Sequence, residues 1–179
     1  MTGVWPGVAD WVRARSGADR RVVLIDGGSG AGKTSLATRL ADELDALLVS
    51  LDDVYPGWHG LAEAQRMVSG IITGEGHPTW DWERGRPVDE GWVDVPLDRD
   101  LVVEGCGALT PTNAALASAT IWCELDSETR KRRALDRDGD AFAPWWETWA
   151  EQEHEHWRRH QPWRLAHLVL PMGPPTVGA

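Results

Sequence analysis

Lysine is almost missing from this chain of 179 residues: Lys33 and Lys131 are the only two, and the other strongly basic side chains are all arginine. With alanine, glycine, aspartate and tryptophan abundant, this reads as a coding bias toward GC-rich codons. It also singles out Lys33, because a lysine kept among arginines suits a compact point charge that a planar guanidinium would not replace. Cysteine is scarce too. Cys106 and Cys123 are too few and too far apart for a disulfide scaffold or a four-ligand metal site, and read as small buried hydrophobes in a reducing cytosol. Positive charge is in deficit: the formal net charge is −10. That argues against nucleic acid as the main partner, since phosphate backbones bind clustered Lys and Arg. Long apolar runs are lacking as well. Nothing approaches a membrane span, and Pro6, Asp10, Arg13 and Arg15 interrupt the stretch where a signal peptide would need an apolar core. These absences predict a soluble cytoplasmic protein with neither nucleic acid nor membrane as partner. The length predicts one α/β domain over 1–179, with an N-terminal helical segment in 1–20 and a tail at 172–179.

Against that background Arg21 to Leu40 stands out. Val22 to Ile25 are four consecutive apolar residues, as in a strand buried on both faces of a parallel sheet. Gly27, Gly28, Ser29, Gly30, Ala31, Gly32, Lys33 and Thr34 then complete the pattern G-x-x-x-x-G-K-[ST]. Small residues let successive backbone N–H groups turn inward around an anion. Lys33 would place its charge on the β- and γ-phosphates, Thr34 would offer a hydroxyl to Mg²⁺, and the following helix would add its N-terminal partial charge. The expected ATP-binding set is Gly28, Ser29, Gly30, Ala31, Gly32, Lys33, Thr34 and Ser35. A glycine-rich turn that merely fits the pattern is the bland alternative, and the strand before with the helix after argues against it.

The rest of the chain is read around this loop. Val4, Val8, Trp11 and Val12 predict an amphipathic helix over Val4 to Arg15. A helix from Lys33 to about Leu44 and a strand over Ala46 to Ser50 follow. Asp52 and Asp53 come directly after that strand, at the sheet edge shared with the phosphate loop, and are candidates to face the γ-phosphate. As turn formers ahead of Pro56-Gly57 they would need no such role. Gly60 to Ile72 predicts a helix over the acceptor site. Thr73 to Asp100 reads as irregular, a length that is uncommon unless it binds something. Leu101 to Val103 is a third buried strand ending in Glu104, a partner for Mg²⁺ directly or through water, or else a strand-end acid in water. After a fourth strand at Thr120 to Leu125, Asp126 or Ser127 can cap a helix to about Asp138 bearing Arg130, Lys131, Arg132, Arg133 and Arg137. A solvated helix face would also explain that run. Pro144 to His160 reads as a returning helix with Trp145, Trp146 and Trp149 in the core. His154, His156 and His160 do not make a metal motif, because Arg158 stands where H-E-x-x-H needs its second histidine. Ala166 to Leu170 is a fifth strand.

In this order the pieces resemble the uridine kinase-like (nucleoside kinase and phosphoribulokinase) family of phosphate-loop kinases, from about Arg21 to Pro171. Asp52-Asp53-Val54-Tyr55 is similar to the family's D-[SD]-F-Y motif, Pro78-Thr79-Trp80-Asp81-Trp82 to its P-x-Y-D-F segment, and Val103-Glu104-Gly105 to its strand end. Arg132-Arg133 with Arg137-Asp138 is similar to its R-R-x-x-R-D lid, with the spacing changed by one residue. Arg164 to Pro171 resembles its R-x-A-D-hydrophobic-P end, with His167 in place of Asp. The family's histidine after P-x-Y-D-F has no counterpart near Gly85, and the segment after Tyr55 is shorter than usual.

The resemblance implies a P-loop NTPase fold, a five-stranded parallel sheet in the order 2-3-1-4-5 with helices on both faces and an arginine-bearing lid. It implies ATP with Mg²⁺, and transfer of the γ-phosphoryl group to a hydroxyl of a small molecule, a nucleoside-like acceptor. Asp52 would be the base, with Asp53 as fallback and substrate contact. Lys33, Arg133 and Arg137 would serve transfer, Tyr55, Trp80 and Arg84 would shape the acceptor pocket, and Thr34 with Glu104 would hold Mg²⁺. Two alternatives stay open: a nucleoside monophosphate kinase using Arg66, Arg84 or Arg86 for the acceptor's phosphate, and a regulator that binds ATP without transferring it. A GTPase is disfavoured because N-K-x-D cannot be formed around Lys131.

Overall fold

The computed structural model describes residues 5–15, 17 and 19–173. Its first helix is α1 (Val8–Arg15), and the Val4 end of the expected helix lies outside the described residues. The phosphate-loop stretch folds as the pattern requires, with β1 (Val22–Gly27) running into α2 (Lys33–Leu44). Next come β2 (Leu47–Ser50), a 3-10 turn at Leu51–Asp53 and α3 (Leu61–Thr73). The segment expected to be irregular is instead an antiparallel hairpin of β3 (His77–Asp81) and β4 (Arg86–Val93). Its mixed polarity has a physical reason. β4 is almost wholly solvent-exposed, so no apolar alternation marks it as a strand.

The chain then enters β5 (Leu101–Glu104), a short α4 (Pro111–Ala115), β6 (Ala119–Glu124) and the lid pair. That pair is α5 (Ser127–Phe142), broken at Gly139 where φ is 52°, and α6 (Trp146–His160). The chain closes with α7 (Pro162–Leu165) and β7 (Leu168–Pro171).

Five strands form one parallel sheet in the order β2-β5-β1-β6-β7, which is the expected 2-3-1-4-5 once the hairpin strands are set aside. Alternation along β1 divides the core. Val22 and Leu24 join Leu101, Val103 and the apolar faces of α3, α5 and α6, whereas Val23 and Ile25 join Val102, Ile121 and those of α1 and α2. The central strands, buried on both sides, bring the phosphate loop, the Asp52 turn and Glu104 to one edge.

Candidate active site

The phosphate loop is held from behind by α5. Gly30 has φ +80°, and a Cβ there would lie 2.1 Å from the Arg130 carbonyl oxygen; a Cβ on Gly28 would lie 2.1 Å from Arg130 Nη1. Such a seat leaves the opposite face of the loop for a ligand. Ala31 is buried, and its N–H closes a turn onto Gly28 O at 3.0 Å. Gly32, at φ 98°, caps α2. Lys33, itself buried, folds back over the loop, its Nζ 3.2 Å from Gly28 O and 3.4 Å from Cys106 Sγ. Burial disfavours its charge, but the nearby Glu104, Glu153 and Asp52 outweigh that and raise its pKa, so it stays an ammonium. Ser35 is exposed on the first turn of α2.

Glu104 is buried at the end of β5, where Oε1 accepts from Thr34 Oγ1 at 3.1 Å and from Ser50 Oγ at 2.6 Å. Burial raises its pKa, Lys33 opposes the rise and Asp52 adds to it. A hydroxyl and a carboxylate side by side at the start of α2 are the hard oxygen donors that Mg²⁺ takes, usually with several waters retained. Among the described residues no group of three or more His, Cys, Asp or Glu is placed to hold a metal ion. The protein's share of a Mg²⁺ shell would therefore be Thr34 and Glu104, and the donor set fits a nucleotide-borne ion.

Asp52 lies in the turn after β2, where Ser50 Oγ accepts from its N–H at 3.4 Å and Trp82 Nε1 donates to its carbonyl at 2.7 Å. It opens on a cleft of about 640 Å³ lined also by Ser29, Thr34, Tyr55, Trp58, Trp82, Arg137, Asp138, Phe142 and Trp149. Although Asp52 is open to solvent on the cleft side, partial burial raises its carboxyl pKa; Lys33 and Arg137 pull it down, and Asp53 and Asp138 push it up. A carboxylate shifted this way is better matched to taking a proton. Arg137 reaches the cleft from the lid, held to Asp138 by bonds of 2.8 and 2.6 Å. Tyr55 lines the cleft with its ring edge-on to Trp149 at 4.8 Å, while its hydroxyl is spent on Cys106 O at 2.8 Å.

Other expected site residues fall elsewhere. Asp53 is exposed beside Asp52 without lining the cleft, and Trp80 packs behind it against Gly57. Arg84 sits at the hairpin tip with Asp81 at 3.6 Å, and Arg133 donates to Met172 O at 3.4 Å without lining the cleft. Trp145, expected in the core, is 37% exposed and stacks on Trp58. Sequence reasoning missed Trp58, Trp82 and Phe142. Trp58 lies three residues past Tyr55 and Trp82 two past Trp80, so adjacency to the named motifs was the available signal. It also missed Asp26, whose carboxylate accepts from the N–H groups of Gly27, Gly107 and Leu109 at 2.7, 3.1 and 2.9 Å. With Gln65 Nε2 on its Nδ1 at 2.9 Å, His156 carries its proton on Nε2 and donates to Asp26 Oδ2 at 2.9 Å. That spends His156 on bracing α6 against the root of the loop.

No protein-family model matches the chain, and no curated protein matches it. Solved structures do. A possible uridine kinase from Bacillus stearothermophilus superposes with a TM-score of 0.65 at 17% identity, covering 91% of this chain and 95% of that one. A protein provisionally described as a fructose transport system kinase from Silicibacter sp. TM1040 gives 0.63 at 18%, covering 92% and 98%. Shikimate kinase from Acinetobacter baumannii gives 0.53 at 13%, covering 91% and 88%. With its phosphate loop after β1 and helical lid after β6, the chain adopts the fold of the phosphate-loop kinases, of which uridine kinase-like proteins are the neighbours its motifs anticipated.

Proposed function

We propose that this protein is an ATP-dependent kinase that moves the γ-phosphoryl group to a hydroxyl of an uncharged, nucleoside-like small molecule. The observation that carries the reading is that Asp52, Thr34 and Ser29 open on one cleft whose remaining wall is five aromatic side chains with Arg137, Asp138 and Ala141. The loop N–H groups and Lys33 would hold the β- and γ-phosphates, and bound Mg²⁺ would neutralise charge between them. The acceptor hydroxyl attacks the γ-phosphorus from the cleft; its proton passes to Asp52, the bond to the β-phosphate oxygen breaks, and ADP leaves. Arg137 is the lid cation able to meet charge on the transferring group, exchanging Asp138 for it. The aromatic wall excludes water, which limits hydrolysis.

The arginines on which a nucleoside monophosphate kinase would depend support the uncharged acceptor. Arg84 pairs with Asp81, Arg86 with Asp89 at 2.7 and 2.8 Å, and Arg66 lines a separate depression with Glu63, Glu75 and Trp92. Among the described residues the cleft wall itself offers one guanidinium, Arg137, already shared with Asp138.

The test is ADP release from Mg-ATP across nucleosides, nucleoside monophosphates and unrelated small alcohols, repeated with Asp52→Asn. Stimulation by an uncharged alcohol, lost on the order of 10²-fold in Asp52→Asn with ATP affinity retained, is the expected result. Stimulation by monophosphates alone would establish the kinase of that class instead. ATP binding that nothing in the panel stimulates would favour the regulator.

A further inference from the structure

Glu153 is a buried carboxylate that the proposed transfer does not use. It projects from α6 at 1% exposure, one turn from His156. Its Oε1 accepts from the Ser29 N–H at 2.6 Å and from Cys106 Sγ at 3.2 Å, and its Oε2 accepts from Arg130 Nη1 at 3.3 Å. The same Arg130 Nη1 donates to Ser29 O at 3.2 Å. One buried ion pair thus grips both peptide groups of a single loop residue, the N–H through Glu153 and the C=O through Arg130. Arg130 is fixed in turn by its Nε bond to Leu125 O at 3.3 Å and by the Trp157 ring beneath it at 5.1 Å.

With its main chain held from behind, Ser29 presents its side chain to the cleft, on the same wall as Thr34 and Asp52. Among the described residues the one hydrogen-bond partner of its hydroxyl is Cys106 Sγ, weak and 3.6 Å away. Burial pushes the Cys106 thiol up to about 12, so it is a neutral neighbour that leaves the hydroxyl free to donate. Ser29 and Asp52 thus line one cleft, the cleft from which the proposed acceptor would approach.

We infer that Glu153 is a positioning residue for the γ-phosphate, acting through Ser29: together with Arg130 it fixes the Ser29 peptide so that the hydroxyl donates to that phosphate. The inference rests on the ATP reading but not on the identity of the acceptor. A neutral acceptor would satisfy the N–H just as well in number. A carboxylate makes the stronger bond to it and neutralises Arg130, so that neither charge is buried alone. Were the pair only glue between α5 and α6, it would matter equally for every nucleotide.

Equilibrium affinities for Mg-AMP-PNP and Mg-ADP separate the two roles, because ADP lacks the γ-phosphate. Ser29→Ala should weaken AMP-PNP about tenfold, the range of one hydrogen bond to a charged group, and leave ADP within about twofold. Glu153→Gln should weaken AMP-PNP in the same direction with ADP again spared. The double variant should be no worse than Ser29→Ala, because both changes act on one contact. Equal losses for the two nucleotides, tighter AMP-PNP binding in Glu153→Gln, or additive effects would overturn the inference. If Glu153→Gln does not fold, Ser29→Ala decides alone: an unchanged preference for AMP-PNP over ADP overturns it. A wild-type protein that binds neither nucleotide would overturn the ATP reading itself, a result distinct from binding with an unchanged preference in the variants.

Discussion

Alanine at Gly30 tests whether the phosphate loop is seated on α5 as described. The backbone there has φ +80°, a left-handed conformation that costs an L-residue roughly 1–2 kcal/mol. The added Cβ would also meet the Arg130 carbonyl oxygen at 2.1 Å and its carbon at 2.8 Å. Both are backbone atoms of a buried helix residue, so no rotamer change relieves the contact, and overpacking of this kind costs about 1–3 kcal/mol. The sum is about 2–5 kcal/mol. At about 2–4 °C per kcal/mol for a chain of this size, Tm should fall by roughly 4–20 °C. Gly85→Ala supplies the control. It has φ +63° at the hairpin tip with nothing within 4 Å of the added Cβ, so it bears the conformational cost alone. Thermal unfolding followed by circular dichroism should therefore rank Gly30→Ala below Gly85→Ala by about 1–3 kcal/mol. Titration with Mg-AMP-PNP should show weaker binding in Gly30→Ala only. Equal stabilities for the two variants would refute the seat on Arg130, and with it the account of why this loop needs glycine at that position.

Acceptor-dependent ADP release should show an acid limb above the ordinary aspartate value of about 3.9, because the base must be ionised and Asp52 is raised by burial. Arg137→Ala removes a charge that favours the Asp52 carboxylate, so the limb should move to higher pH; a limb that stays put or moves down would refute the assignment. Glu104→Gln keeps an oxygen beside Thr34 but loses its charge, and should raise the Mg²⁺ concentration needed for half-maximal AMP-PNP binding by about tenfold or more. An unaltered Mg²⁺ requirement would remove Glu104 from the metal shell.

How far the chain could be read depended on which interactions are local. β1, the loop and α2 were legible almost to the residue, because each element depends on its own neighbours: an apolar run buried on both faces, glycines at turning points, and a helix start. The strand ends carrying Asp52 and Glu104 were legible for a related reason, since parallel topology fixes which edge they share. The hairpin was not. β4 places exposed side chains on both faces and carries Glu90 at φ 56° within the strand, so no alternation announces it. The aromatic wall of the cleft was half legible. Tyr55 was found through its motif, but Trp82 rather than Trp80 faces the cleft because β3 ends at Asp81 and the chain turns there. Least legible was the brace behind the loop. Ser29 and Glu153 are 124 positions apart, Asp26 and His156 130, and a lone Glu or His on an amphipathic helix carries no mark of such a partner. Yet both come from one turn of α6 and close on the two ends of the same loop segment, Asp26 at its root and Ser29 at its crest. The lid's second helix is thereby tied to the phosphate-loop segment at two points.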